Sequence, residues 1–264
     1  MNFLLDKLQY SILYLSKYPK IGKFISTILG VFEVFFLDMI YFIDRRISHG
    51  SYSSLMKIYT LLYGSKVIPL NVKLEGIPSV APTDEIMSVI RRMPALSIGY
   101  CYCRVKHKNC DNPVWSCIHI GTAIHLNELK NKIPLKSASI EEVEKLLLKA
   151  NKLGLVHQLL TAPSPDYVYV ICNCCPCCCV MLNSAIEYNL RGVAIPSNYI
   201  VKYDKKKCIG CFSCVERCHF GSLANKDNKL VFDSSKCVGC GLCIDYCSSD
   251  AIQLIRRDSI LNDL

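Results

Sequence analysis

A chain of 264 residues that is 51% apolar and only 20% charged has enough apolar side chains for one large or two modest cores, which excludes an intrinsically disordered chain. Its formal charge of +9 is spread along the sequence, and no basic stripe interleaved with aromatics marks a nucleic-acid surface. Eighteen cysteines would suit a disulfide scaffold in a short secreted chain, but runs such as Cys177-Cys178-Cys179 cannot all pair with acceptable geometry, so a reducing cytoplasm is the expected compartment.

In chain order, residues 1–50 read as an apolar helical segment. Phe3, Leu4, Leu8, Ile12 and Leu15 recur at helical spacing, and Pro19 with Gly22 separates them from a second helix. From Phe24 to Ile43, fifteen of twenty residues are apolar, the length of a membrane span, yet Glu33 sits at the middle and Asp38 farther on. On an insertion scale, the thirteen Leu, Ile, Phe and Val residues contribute roughly −4 to −8 kcal/mol and each central acid costs around 3. Three readings stay open: a buried or partner-docking helix, a membrane-surface helix and a true span. Ser26, Gly30 and Glu33 share one face of it. Asp6 interrupts the apolar start, and no signal peptide is expected.

Residues 51–197 read as a cysteine-rich central domain. A connecting helix and an extended segment over 51–80 lead, past Pro69, Pro78 and Pro82, to a short helix over Asp84 to Arg92 capped by Thr83. A strand over Leu96 to Cys101 then delivers Cys101, Cys103, Cys110 and Cys117, spaced C-x-C-x6-C-x6-C. On a strand, Cys101 and Cys103 share one face, and Arg104 beside them favours thiolates. These four cysteines are candidate metal or cluster ligands, with zinc and buried free thiols as alternatives. His119 and His125 fall on an expected helix over Ile118 to Leu129 and read as ordinary surface or core histidines. Ser139 and Glu142 form a capping box that opens a helix running to about Leu153 and stopping at Gly154. Two antiparallel strands follow, over Leu155 to Leu160 and Tyr167 to Cys172, and helix plus hairpin resembles a winged-helix unit in packing.

That hairpin leads to Cys172-Asn173-Cys174-Cys175-Pro176-Cys177-Cys178-Cys179. Six thiols in eight residues oxidise readily if left exposed, so a soft metal is expected there. A helix over Val180 to Leu190 would set its N-terminal dipole against the thiolates. A further iron–sulfur centre sharing ligands with the cysteines upstream, a vicinal redox dithiol, and zinc or inert thiols are the readings.

Residues 198–264 carry one four-cysteine pattern twice. Cys208, Cys211, Cys214 and Cys218 read C-x2-C-x2-C-x3-C, and Cys237, Cys240, Cys243 and Cys247 repeat it after 29 residues. This run is expected to hold two [4Fe–4S] cubes with crossed ligands. Cys208, Cys211, Cys214 and Cys247 are assigned to one cube, and Cys218, Cys237, Cys240 and Cys243 to the other. Structural zinc would instead pair two C-x2-C knuckles across a longer gap. Lys205-Lys206-Lys207 is the one tight basic run, read as a solvated strand end or as a steering patch for an acidic redox partner.

From Tyr199 to Arg257 this pattern resembles the bacterial-type dicluster ferredoxins, with His219 and Ser248 where those have proline. From about Pro69 onward, the C-x-C-R motif at Cys101 to Arg104, the stretch Gly154 to His157 and the C-N-C-C-x-C-C-C motif are similar to ferredoxin-fused iron–sulfur proteins of anaerobic prokaryotes. The resemblance implies an anaerobic cell and names no substrate. The expected fold is α+β: apolar N-terminal helices, a mixed central domain and a ferredoxin-like C-terminal domain. The expected function is electron transfer through two [4Fe–4S] clusters and a further upstream centre, for a redox partner protein. Residues 1–48 offer a membrane or subunit contact. The alternative is a reductase whose central metal centre or reactive thiols act on a small oxidised substrate. No G-x-G-x-x-G fingerprint for NAD or FAD occurs.

Overall fold

The computed structural model describes residues 64–70, 86–91, 93, 95–120, 134–161, 168–187 and 194–258, with the single positions 24, 28, 35, 38–40, 42, 56 and 59. The fold is α+β. Its centre is an antiparallel sheet of six strands in the order β1-β5-β6-β3-β2-β4. These are β1 (Gly64–Val67), β2 (Leu96–Tyr100), β3 (Trp115–Ile120), β4 (Leu135–Ser137), β5 (Val156–Thr161) and β6 (Val168–Cys174). Helices α1 (Ile86–Arg91), α2 (Tyr102–His107), α3 (Ile140–Lys152) and α4 (Val180–Glu187) accompany it.

Local chemistry explains these boundaries. The Ser139 side chain accepts from Glu142 N–H while the Glu142 carboxylate accepts from Ser139 N–H, closing a capping box at the start of α3. Val143, Leu147 and Ala150 recur on one side of α3 and are buried, two of them in a core with Ile86, Ile90, Ile118 and Ile171. Gly154 ends the helix with φ of +75°, a conformation glycine adopts without a Cβ penalty. The hairpin expected after α3 forms, but β5 and β6 lie inside the sheet between β1 and β3, so it is no separate winged-helix unit.

Two expectations near the first cysteines are corrected. Cys101 precedes α2 as its N-cap and Cys103 lies within α2, so the two are not on one strand face. The chain turns out of β2 because α2 can start there, its left-handed end at Lys108 reversing the path toward β3. His119 lies on β3, not on a helix, and is buried. Residues 121–133, with the rest of that expected helix and His125, lie outside the described residues.

Of the first fifty residues, the described positions 24, 28, 35, 38–40 and 42 are helical. Ile40 joins the central core with Met56 and Tyr59, and Asp38 pairs with Lys106 Nζ at 2.8 Å and accepts from Tyr102 Oη. This end of the segment therefore docks on α2, while Phe24, Ile28, Phe35 and Phe42 are exposed. Among the described residues no helix is long and apolar enough to cross a membrane. The Ser26, Gly30 and Glu33 face lies outside them.

The C-terminal module is built on two small antiparallel pairs, β7 (Tyr199–Tyr203) with β10 (Ile252–Arg256), and β8 (Leu223–Lys226) with β9 (Lys229–Phe232). A single turn of helix, α5 (Ser213–Glu216), accompanies them. The module is tied to the central domain at the end of α3. Arg217 Nη2 donates to Lys152 O at 2.9 Å, His219 Nε2 donates to Gly154 O at 2.7 Å, and Asn151 bonds Asp245.

Candidate metal centres

In the C-terminal module the repeat in sequence becomes a repeat in backbone. Gly210 and Gly239, Phe212 and Gly241, and Gly221 and Asp250 are matched pairs 29 residues apart, and all six have positive φ. The left-handed turns wrap each cysteine loop around a hollow. Cys208, Cys211, Cys214 and Cys247 line one hollow of about 320 Å³, mouth included, together with Ile209, Leu230 and Ile252. Cys218, Cys237, Cys240 and Cys243 line another of about 330 Å³ with Val201, Phe220 and Leu223. The fourth cysteine of each run thus faces the other run's hollow.

The donor set in each hollow fits a [4Fe–4S] cluster. Burial pushes the Cys214 thiol up to about 11 and Cys240 up to about 12, so thiolates there need positive charge supplied alongside them, which iron provides. Backbone N–H groups already point at sulfur, from Leu223 to Cys218 at 3.4 Å and from Ala251 to Cys247 at 3.2 Å. His219, which takes the place of a proline, donates to Gly154 O and so works as a tie to the central domain.

The ten upstream cysteines fall into two groups that share no member. Cys101, Cys103, Cys179, Cys174, Cys172 and Cys117 form a closed ring in which each thiol is near enough to shift the proton affinity of the next. Strand geometry builds half of it: Cys172 and Cys174 are two apart on β6 and face one side, and the β3–β6 register through Ile118 and Ile171 carries Cys117 alongside. Asn173, pointing the other way, bonds the buried His157 ring and donates to Ser116 O. Hydrogen bonds from Cys172 and Cys179 hold Cys174 down at about 6.

Cys110, Cys175, Cys177 and Cys178 form the second group, with all four Sγ atoms within 4.8 Å of one another. Cys110 comes from the loop between α2 and β3, and the other three from the turn between β6 and α4. Asn109 Nδ2 donates to Cys177 O at 2.8 Å and joins the two loops. Burial raises the Cys110 thiol, but Asn112, through its backbone and its side chain, pulls it down to about 6.

Between the groups lies Arg104, only 2% exposed. It donates to Cys175 Sγ at 3.5 Å, to Ser116 Oγ at 2.7 Å, to Asn173 O at 3.0 Å and to Pro113 O. Its charge also acts on Cys101 and Cys117. Proximity to the cysteines was legible in sequence; its place between the two sulfur groups was not. Asn112, Ser116, Asn173 and Gln158, which donates to Cys179 Sγ at 3.7 Å, escaped sequence reasoning because amides and hydroxyls carry no ligand signature.

The family described as 4Fe-4S binding domain matches residues 230–253, a stretch that contains Cys237, Cys240, Cys243 and Cys247. None of the curated proteins matches the chain. The chain carries a 4Fe–4S binding domain of ferredoxin type at its C-terminal end, and this with the cysteine-rich groups points to an iron–sulfur electron-transfer protein.

Proposed function

We propose that the chain relays single electrons through three iron–sulfur centres. Two are [4Fe–4S] clusters, one ligated by Cys208, Cys211, Cys214 and Cys247 and one by Cys218, Cys237, Cys240 and Cys243. The third is held by the ring of six upstream cysteines. Iron–sulfur clusters supply reversible one-electron exchange at potentials set by hydrogen bonds to sulfur and by burial.

The observation that carries this reading is a shared core. Cys101, Cys117, Cys174 and Cys179 belong to one buried cluster with Leu242, and Cys240, Val238 and Phe220 pack against it. The ring and one ferredoxin hollow are therefore neighbours across dry apolar side chains. The other hollow opens outward, where Cys211 is exposed and Ile209 is 68% exposed. That geometry suits entry or exit of electrons at Cys211 and storage at the buried end. The protein's own residues keep water from the inner sulfurs and direct N–H groups to them.

The test is Cys211→Ala in the full chain, with anaerobic iron quantitation and EPR of the reduced protein. One cluster should be lost or converted while the remaining signals persist, because the ligand sets share no residue. Equal loss of all iron would overturn the reading of separate centres.

A further inference from the structure

We propose that Cys110, Cys175, Cys177 and Cys178 bind a single zinc ion, tetrahedrally and with no open position, apart from every iron–sulfur centre of the chain. Sulfur spacing decides the nuclearity. Cys110 Sγ lies 3.6 Å from Cys175 Sγ and 3.7 Å from Cys178 Sγ, and Cys177 Sγ lies 3.9 Å from Cys178 Sγ. With zinc–thiolate bonds of about 2.3 Å, a regular tetrahedron has sulfur–sulfur edges of about 3.8 Å. Three of the six edges have that length and the others are within 4.8 Å, a spacing that suits one ion. A cube places four irons between its cysteines and needs them wider apart. Among the described residues no other group of three or more Cys, His, Asp or Glu gathers so closely, the ferredoxin cysteines included.

Charge supplies an independent argument. A guanidinium remains protonated when buried, and a buried charge needs a counter-charge. Among the described residues no carboxylate meets Arg104; its oxygen partners are two carbonyls and a hydroxyl. Sulfur is the one partner able to carry negative charge: Arg104 bonds Cys175 Sγ and also faces Cys101 and Cys117 of the ring, so the net charge of −2 left by four thiolates around a divalent ion is part of what it offsets. Asn112 Nδ2, 3.4 Å from Cys110 Sγ, orients a ligand as outer-shell groups of metal sites do.

The setting favours zinc over iron. All four ligands come from protein, and they pin the α2–β3 loop to the β6–α4 turn, the pattern of a closed structural zinc site; a single iron ion would accept the same four thiolates, and the metal analysis below separates the two. Cys175, Cys178 and Cys110 pack with Ala150 and Leu155, outside the core that joins the six-thiol ring to the ferredoxin module.

This inference stands apart from the electron-relay reading, since Cys211→Ala would remove iron and leave the zinc in place. Its test is metal analysis and zinc-edge X-ray absorption on the full chain, purified anaerobically from cells supplied with both iron and zinc. One zinc per chain with four sulfur neighbours at about 2.3 Å is expected, and Cys177→Ser should lose that zinc with iron content unchanged. Absence of zinc, oxygen or nitrogen among its neighbours, or loss of iron in Cys177→Ser would each overturn the assignment. The absorption measurement on the wild-type protein holds even if the variant fails to fold.

Discussion

His157 is fully buried, and burial lowers its pKa to about 4 although Asn173 partly opposes the shift. The folded protein keeps the ring neutral, whereas the unfolded chain takes up a proton below about 6.5. Between those values the unfolded state binds more protons, so stability falls as pH falls. From pH 7 to 5.5 the loss is about 1 kcal/mol. Urea unfolding followed by far-ultraviolet circular dichroism should show it, and His157→Gln should flatten the difference; an unchanged pH dependence in that variant would refute the assignment. In sequence His157 reads as an ordinary strand histidine. Only the pairing of β5 with β6, His157 opposite Asn173, reveals what it meets.

Among the structural elements, the two cysteine loops offer a controlled comparison. Gly210 and Gly239 occupy matched positions with φ of +72° and +67°, so alanine at either should cost about 1–2 kcal/mol in backbone strain. Their surroundings differ. A Cβ on Gly210 meets nothing within 4 Å, whereas on Gly239 it would collide with Tyr199 O and Ser197 Oγ. Gly239→Ala should therefore destabilise the module by at least twice as much as Gly210→Ala, measured as the urea midpoint for loss of cluster absorption. Equal midpoints would mean that the β7 backbone yields. The two glycines recur at the 29-residue interval, but the asymmetry leaves no mark in sequence, because Tyr199 and Ser197 reach Gly239 from forty residues earlier in the chain.

For the whole molecule, the exposed hollow carries charge and apolar surface side by side. Lys205, Lys206 and Lys207 are exposed next to Cys208 and the protruding Ile209, and the proposed electron relay makes this face its proposed docking patch for an acidic redox partner. Steering by such a patch acts on encounter rate and is screened by salt. Replacing all three lysines by glutamate should slow reduction by an anionic electron donor at low ionic strength by about tenfold or more. The difference should vanish near 1 M salt, where the Debye length is about 3 Å. Stopped-flow traces that coincide at low salt would exclude this face as the entry point.

Features that depend on near neighbours can be read along the chain. Ser139 and Glu142 are three residues apart and start α3; the spacing of Cys208 to Cys247 sets out the ferredoxin loops; and the α+β class follows from periodicity. The same local reasoning carried Cys103 onto a strand and His119 onto a helix, because propensity cannot weigh the turn at Cys101 or the sheet that claims β3. Packing across the sheet divides the ten upstream cysteines into a ring of six and a group of four. That division depends on Cys101–Cys117 meeting Cys172–Cys179 across paired strands and facing loops, contacts between residues 55 to 76 positions apart, for which no spacing along the chain leaves a trace.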